Sequence, residues 1–218
     1  MTRQSLKQSL LLQLAVIYTR YLIGGAFVFA SLIKIKGHRF TQIPDDGGHS
    51  AGHFFEMMYQ SGLYWQFLGW AQLLAGLLLL TQRFAMLGAV LFFGIIANVF
   101  VITLSYPFAY TPVITGLMLL ATLLLLLWDW NRLRVLLNLP VVAEQTSPLY
   151  ESPLWAGVGA VLFAFTAGYR VLTDRYDFLF WLGGCVGVGA VALLVGLWRQ
   201  RAGAGLAPPA VERNARAT

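Results

Sequence analysis

One permanent cation stands deep inside an apolar run of this chain: Arg20, within the stretch from Leu10 to Ile33. An arginine near the centre of a spanning helix costs from about 2.5 to well over 10 kcal/mol when lipid surrounds it, so it must face the bundle interior or water. Gln13, Arg20, Phe27 and Lys34 recur every seven residues and share one helix face, with about 20° of drift per heptad. Apart from Asp177 at the very start of the last one, no Asp or Glu falls inside an apolar run, so the expected partners of Arg20 are neutral, Gln72 and Asn98 first among them. Two chemistries follow from a buried guanidinium in such a setting. Either it ties helices together through hydrogen bonds, or it recognises an anion or lipid headgroup with Lys34, Gln72 and Asn98 completing a ligand site.

A second constellation is polar: His38, His49 and His53 with Asp45, Asp46 and Glu56. On a helix, His49 and His53 would share a face at i, i+4 and could bind a metal. The run Pro44-Asp45-Asp46-Gly47-Gly48 reads as a turn leading into a helix near Ser50. Nothing resembles an HExxH motif, and the single cysteine, Cys185, allows no internal disulfide, CxxC pair or cysteine zinc site, so the plainer reading is a solvated loop. No histidine lies inside an apolar run, which argues against a bis-histidine haem. Aromatic residues cluster where runs end: Tyr59, Tyr64, Trp65, Tyr106, Phe108, Tyr110, Tyr169 and Tyr176 on one side, Trp128, Trp130 and Trp198 on the other. Belt anchoring explains them. A quinone ring would instead need an aromatic pocket with a few donors, which Lys34, His38 or Arg170 would supply. Asp129 is expected to pair at the interface with Arg132 and Arg134 to little energetic effect, and Gly183 and Gly187 form a small-xxx-small pair for a closely approaching helix, within the bundle or in a second copy.

Positioning these residues requires a membrane bundle. Of 218 residues, 58% are hydrophobic and 11% charged, with a mean hydropathy of +0.69. That excludes a soluble enzyme, a dinucleotide-binding module and a disordered chain. The net charge of +6 flanks apolar runs rather than forming a nucleic-acid surface, so nucleic acid is not an expected partner and the lipid bilayer is. Six runs without strand-like alternation predict an all-α membrane protein: Leu10–Ile33, Leu63–Leu80, Phe84–Leu104, Thr111–Trp128, Leu154–Leu172 and Asp177–Trp198. Between the first two lies a polar segment, 34–62, and Tyr106-Pro107 separates the third from the fourth. Residues 132–137 suit an amphipathic turn in the interface. A proline-rich linker then divides a four-helix unit (1–138) from a linker with a two-helix extension (139–198), and 199–218 read as a disordered cytoplasmic tail. Lys and Arg number nine on one side and five on the other, which predicts an N-in/C-in orientation with the histidine segment outside. A cleaved signal peptide is the competing reading of the N-terminus, but the run is too long and Arg20 interrupts it.

Arg20-x3-Gly24 with Phe27 and Lys34, Phe67-Leu68-Gly69-Trp70-Ala71-Gln72 before an all-leucine stretch, Arg83 with Leu87-Gly88-Ala89, and Ile96-Ala97-Asn98-Val99 resemble DoxX-like integral membrane proteins over roughly Arg20 to Leu137. The resemblance implies a DoxX-like four-helix bundle, to which this chain adds two C-terminal transmembrane helices. It also implies a bacterial inner-membrane location and similarity to the small subunits of thiosulfate:quinone oxidoreductase. Many relatives of that kind have glutamate where Gln72 stands, so this chain lacks that proton carrier.

The expectation is therefore an accessory, quinone-linked membrane subunit of a redox or envelope-stress system without a complete active site of its own, quinone being the one cofactor implied. Its expected partners are a redox subunit and a second copy of the chain. The alternatives are a small-anion or lipid binder or transporter acting through Arg20, and a membrane scaffold recruiting a partner through the histidine segment or the Gly-rich last helix.

Overall fold

A computed structural model describes residues 7–106, 108–140, 149–173 and 177–205. The long helices are α1 (Leu10–Ile35), α3 (Leu63–Leu80), α4 (Ala85–Ser105), α5 (Thr111–Trp128), α7 (Pro153–Leu172) and α8 (Phe178–Gly205), with two short ones, α2 (Ala51–Gln60) and α6 (Trp130–Leu136), between them. Six of these helices are long and apolar enough to cross a bilayer. The protein is an all-helical, multi-pass membrane protein.

Local chemistry sets the boundaries. Pro112 and Pro153 stand in the first turns of α5 and α7, where a missing amide hydrogen costs nothing. Ser50 caps α2 by accepting from the His53 amide at 3.2 Å, and Asp45 and Asp46 accept from Gly47 and Gly48 in the turn before it. The polar segment is thus partly helical. Two limits differ from expectation by more than one residue. Helix α1 runs two residues further than its apolar run, which brings Lys34 into its last turn. Helix α8 continues through Gly205, past the point where the tail was expected to begin; 206–218 lie outside the described residues.

Helix α1 lies between two packed groups. On one side it meets α3, which leads through α4 to α5; on the other it meets α7, against which α8 packs. Ile23, Phe27, Ala75, Leu79, Ala89, Phe92, Ile96 and Leu125 form the core of the first group. Ile17, Tyr21, Val28, Leu80, Trp155, Val158, Leu162 and Ala192 form that of the second. Close approach depends on glycines that face one another. A Cβ on Gly76 would stand 2.7 Å from the Gly24 carbonyl oxygen, and one on Gly159 only 1.9 Å from that of Leu80. For the pair singled out by spacing, a Cβ on Gly183 or Gly187 would meet nothing within 4 Å, while one on Gly184 would meet the Phe165 ring and one on Gly189 the Tyr18 ring.

Candidate functional site

Arg20 is fully enclosed, at 1% exposure. Its Nη2 donates to Asp129 Oδ2 at 2.5 Å and its Nη1 to Gln82 Oε1 at 3.1 Å. Asp129, 3% exposed, is the residue that ends α5 and precedes α6. Gln82 turns inward from the α3–α4 connection with a left-handed φ of 59°, and its amide reaches the Ile17 carbonyl at 3.4 Å. The expected partners are therefore corrected on two counts. Gln72 and Asn98 make no bond to Arg20, and Asp129 serves this buried cation instead of a weak surface pairing, while Arg132 binds Glu151 at 2.6 Å. The reason is geometric. Helix α1 has 26 residues, about 39 Å at 1.5 Å per residue, whereas α3 and α5 have 18 each, about 27 Å. The middle of α1 is thus not level with the middles of α3 and α5, and Arg20 lies level with their ends. A paired and hydrogen-bonded guanidinium satisfies the condition that burial imposes.

The other three candidate residues do come together. Lys34, Gln72 and Asn98 line a cavity of about 470 Å³ enclosed by α1, α3, α4 and α5 and covered by α2. Phe27, Phe40, Phe55, Tyr64, Trp65 and Phe108 supply an aromatic wall. Trp65 and Phe108 therefore belong to the cavity as well as to the rim, and Trp65 is buried with its Nε1 donating to the His38 carbonyl at 3.0 Å. Lys34 Nζ donates to Ala30 O at 3.0 Å and stands 4.3 Å from the Phe40 ring centroid and 5.3 Å from that of Trp65. These contacts stabilise a cation with few water neighbours. Gly69 leaves room for the Lys34 stem, since a Cβ there would fall 3.0 Å from Lys34 Cβ. Gln72, one turn along α3 from Gly69, is 5% exposed, and its Oε1 has no hydrogen-bond partner among the described residues. Asn98 is exposed beside Gly94 at the flank of the cavity. Polarity nearer the α4–α5 connection is self-contained: the Thr103 and Thr115 hydroxyls bond each other at 2.8 Å.

The cover is held by charge and stacking. Arg39 forks onto Glu56 with two bonds of 2.7 Å, and Gln60 adds a third at 3.1 Å. These donors pull the Glu56 carboxyl down to about 2. Phe54 stacks on Tyr106 at 5.1 Å and Phe55 meets Phe108 edge-on at 5.6 Å. The expected metal pair is not assembled. His49 precedes the Ser50 cap and stacks on Tyr106 at 6.4 Å, whereas His53 Nδ1 lies 2.8 Å from Asp45. Among the described residues no group of three His, Cys, Asp or Glu side chains is arranged to hold a metal. Sequence reasoning missed Gln82 and misassigned Asp129. The available signal was a lone carboxylate directly after the last leucines of α5, where the helix emerges.

Comparison with known proteins adds kinship. No family model matches the chain, and no solved structure gives a significant match. The uncharacterized protein YwoB of Bacillus subtilis (strain 168) is 31% identical over 113 residues, covering 50% of this chain and 72% of YwoB. The chain belongs to the YwoB family. YwoB kinship brings no named activity with it, so chemistry must be read from the side chains that line the cavity.

Proposed function

We propose that the protein is a DoxX-like accessory subunit of the bacterial inner membrane that holds a quinone-type ring in the α1–α3–α4–α5 cavity and serves a redox or envelope-stress partner. One observation carries the reading: Lys34 and Gln72, both 5% exposed, face a single aromatic-walled space, and the Gln72 Oε1 is unsatisfied there. A buried acceptor without a donor costs about 1–3 kcal/mol, so its retention favours a ligand that donates to it. Lys34 has three N–H donors and directs one to Ala30. A ring carbonyl accepts from an ammonium, and a ring hydroxyl donates to an amide oxygen, so the pair suits both the oxidised and the reduced ring. The aromatic wall suits the ring faces. A cavity of about 470 Å³ falls within the usual range for small-molecule sites, about 300–1,000 Å³. An N-in orientation gives the cavity to the outer leaflet. An anion held by Arg20 is the weaker reading, because Asp129 already neutralises that guanidinium.

Binding of an alkyl-tailed benzoquinone to the purified protein, read as quenching of tryptophan fluorescence, tests the proposal. Lys34→Met and Gln72→Leu should each weaken binding about tenfold, equivalent to about 1.4 kcal/mol, while melting like the parent. Failure of the parent to bind, or parent-like affinity in both variants, overturns it.

A further inference from the structure

Taking the quinone reading of the aromatic cavity as its basis, we infer that the ligand is a long-tailed quinone dissolved in the bilayer, which enters sideways through the α3–α4 seam and leaves its tail on the outer face of α4 over Gly94 and Asn98. These two residues line the cavity, yet both are exposed on the surface of α4. Phe92, Ile96 and Thr103 are buried on the bundle side of that helix. At about 100° per residue, Gly94 falls on the opposite side, with Asn98 beside it. The space therefore does not end at the core.

Its way out is set by the α3-facing side of α4. Gly88 lies on that side and closes the seam near the α3–α4 connection, since a Cβ there would stand 2.7 Å from the Leu79 nitrogen. Ile95 and Val99 share the side of Gly88, one and a half turns or more further along, and they line the cavity with Leu68 and Gln72 of α3. Beyond them, a Cβ on Gly94 would meet nothing within 4 Å, so the glycine leaves a clear strip on the helix surface.

Depth identifies what fills the strip. Gly94 is the tenth of the 21 residues of α4, about 16 Å from the end beneath the cover. Half of a hydrocarbon core is about 15 Å, so the opening meets acyl chains rather than water. Toward the water the cavity is covered by Phe40, Phe55 and Met58, and α2 is held down by the Arg39–Glu56 fork and the Phe54–Tyr106 and Phe55–Phe108 ring contacts. A ligand that reaches Lys34 and Gln72 from the membrane must dissolve in lipid, and the part left in the opening must be apolar. Asn98 has a use on such a path. Its amide makes no hydrogen bond with the described residues, an expensive state within a spanning helix, and it meets the carbonyl oxygens of a passing ring.

The test uses the full-length protein in lipid nanodiscs, titrated with a dimethoxy-methyl-benzoquinone and with the same ring carrying a decyl chain, each read by quenching of tryptophan fluorescence. Partition into lipid is common to all variants, so the preference for the tailed ring is compared between them. Gly94→Leu should lower that preference about tenfold by filling the strip. Gly157→Leu, on an equally open glycine of α7, should leave it unchanged. A tailed ring with a diazirine at the end of its chain should label α4 in the parent, and this decides the matter if Gly94→Leu does not melt cooperatively. An unchanged preference in folded Gly94→Leu, a loss confined to Ile114→Trp at the exposed α5 lining, or the absence of label on α4 overturns the inference while the quinone reading stands. Failure of the parent to bind either ring overturns both.

Discussion

Asp129 fixes a cation that the helix containing it could not tolerate alone. Removing one partner of a buried pair leaves an uncompensated charge, at a cost of about 3–5 kcal/mol. Asp129→Ala should therefore lower stability by about that amount, measured by chemical denaturation in detergent. Arg20→Met with Asp129→Leu should recover most of the loss, because an apolar replacement of a whole buried pair is often close to neutral. Parent-like stability in Asp129→Ala would show that the pair contributes nothing to the fold. The need for a partner was legible from Arg20 itself, whereas Lys34, Gln72 and Asn98 were expected in one site with Arg20 and line a cavity that does not include it. The identity of the partners was not. They lie 62 and 109 residues away, in a connection and at a helix end, and only the relative lengths of α1, α3 and α5 bring them level with the guanidinium.

Helices in this chain touch where side chains are missing. Gly159 sits against the Leu80 carbonyl, whereas a Cβ on Gly157 would meet nothing within 4 Å. Gly159→Ala should loosen α7 from α3 and cost about 1–3 kcal/mol as an overpacked contact. Gly157→Ala should melt within error of the parent, and thermal unfolding in one detergent compares them. The limits of α3 and α5 were fully legible, since Gly62, Thr81, Tyr110 and Asp129 punctuate uninterrupted apolar runs. The packing glycines were not. Spacing within one helix singles out Gly183 and Gly187, but a close crossing such as Gly24 on Gly76 depends on which helices are neighbours, and no single segment encodes that.

At the scale of the molecule, α1 contributes to both hydrophobic cores, with Phe27 in one and Ile17 and Tyr21 in the other. The Tyr21 hydroxyl also donates to the Trp155 carbonyl at 2.5 Å. A chain ending at Asn138 would expose that second face of α1 and leave the tyrosine without its acceptor. Such a fragment should unfold at lower denaturant concentration than the full chain and regain stability when residues 139–218 are supplied in trans. Equal stability of fragment and full chain would count against a shared core. Helix lengths have one more effect, on the surrounding lipid. Around the perimeter, α3 and α5 present apolar walls of about 27 Å, whereas α7, with 20 residues, and the 22-residue apolar part of α8 present about 30 and 33 Å. Acyl chains bordering the two flanks meet unequal hydrophobic thickness, and each ångström of mismatch costs a fraction of a kcal/mol. The protein therefore tilts, or thins the leaflet on its shorter flank, and its residence depends on how readily the host bilayer deforms.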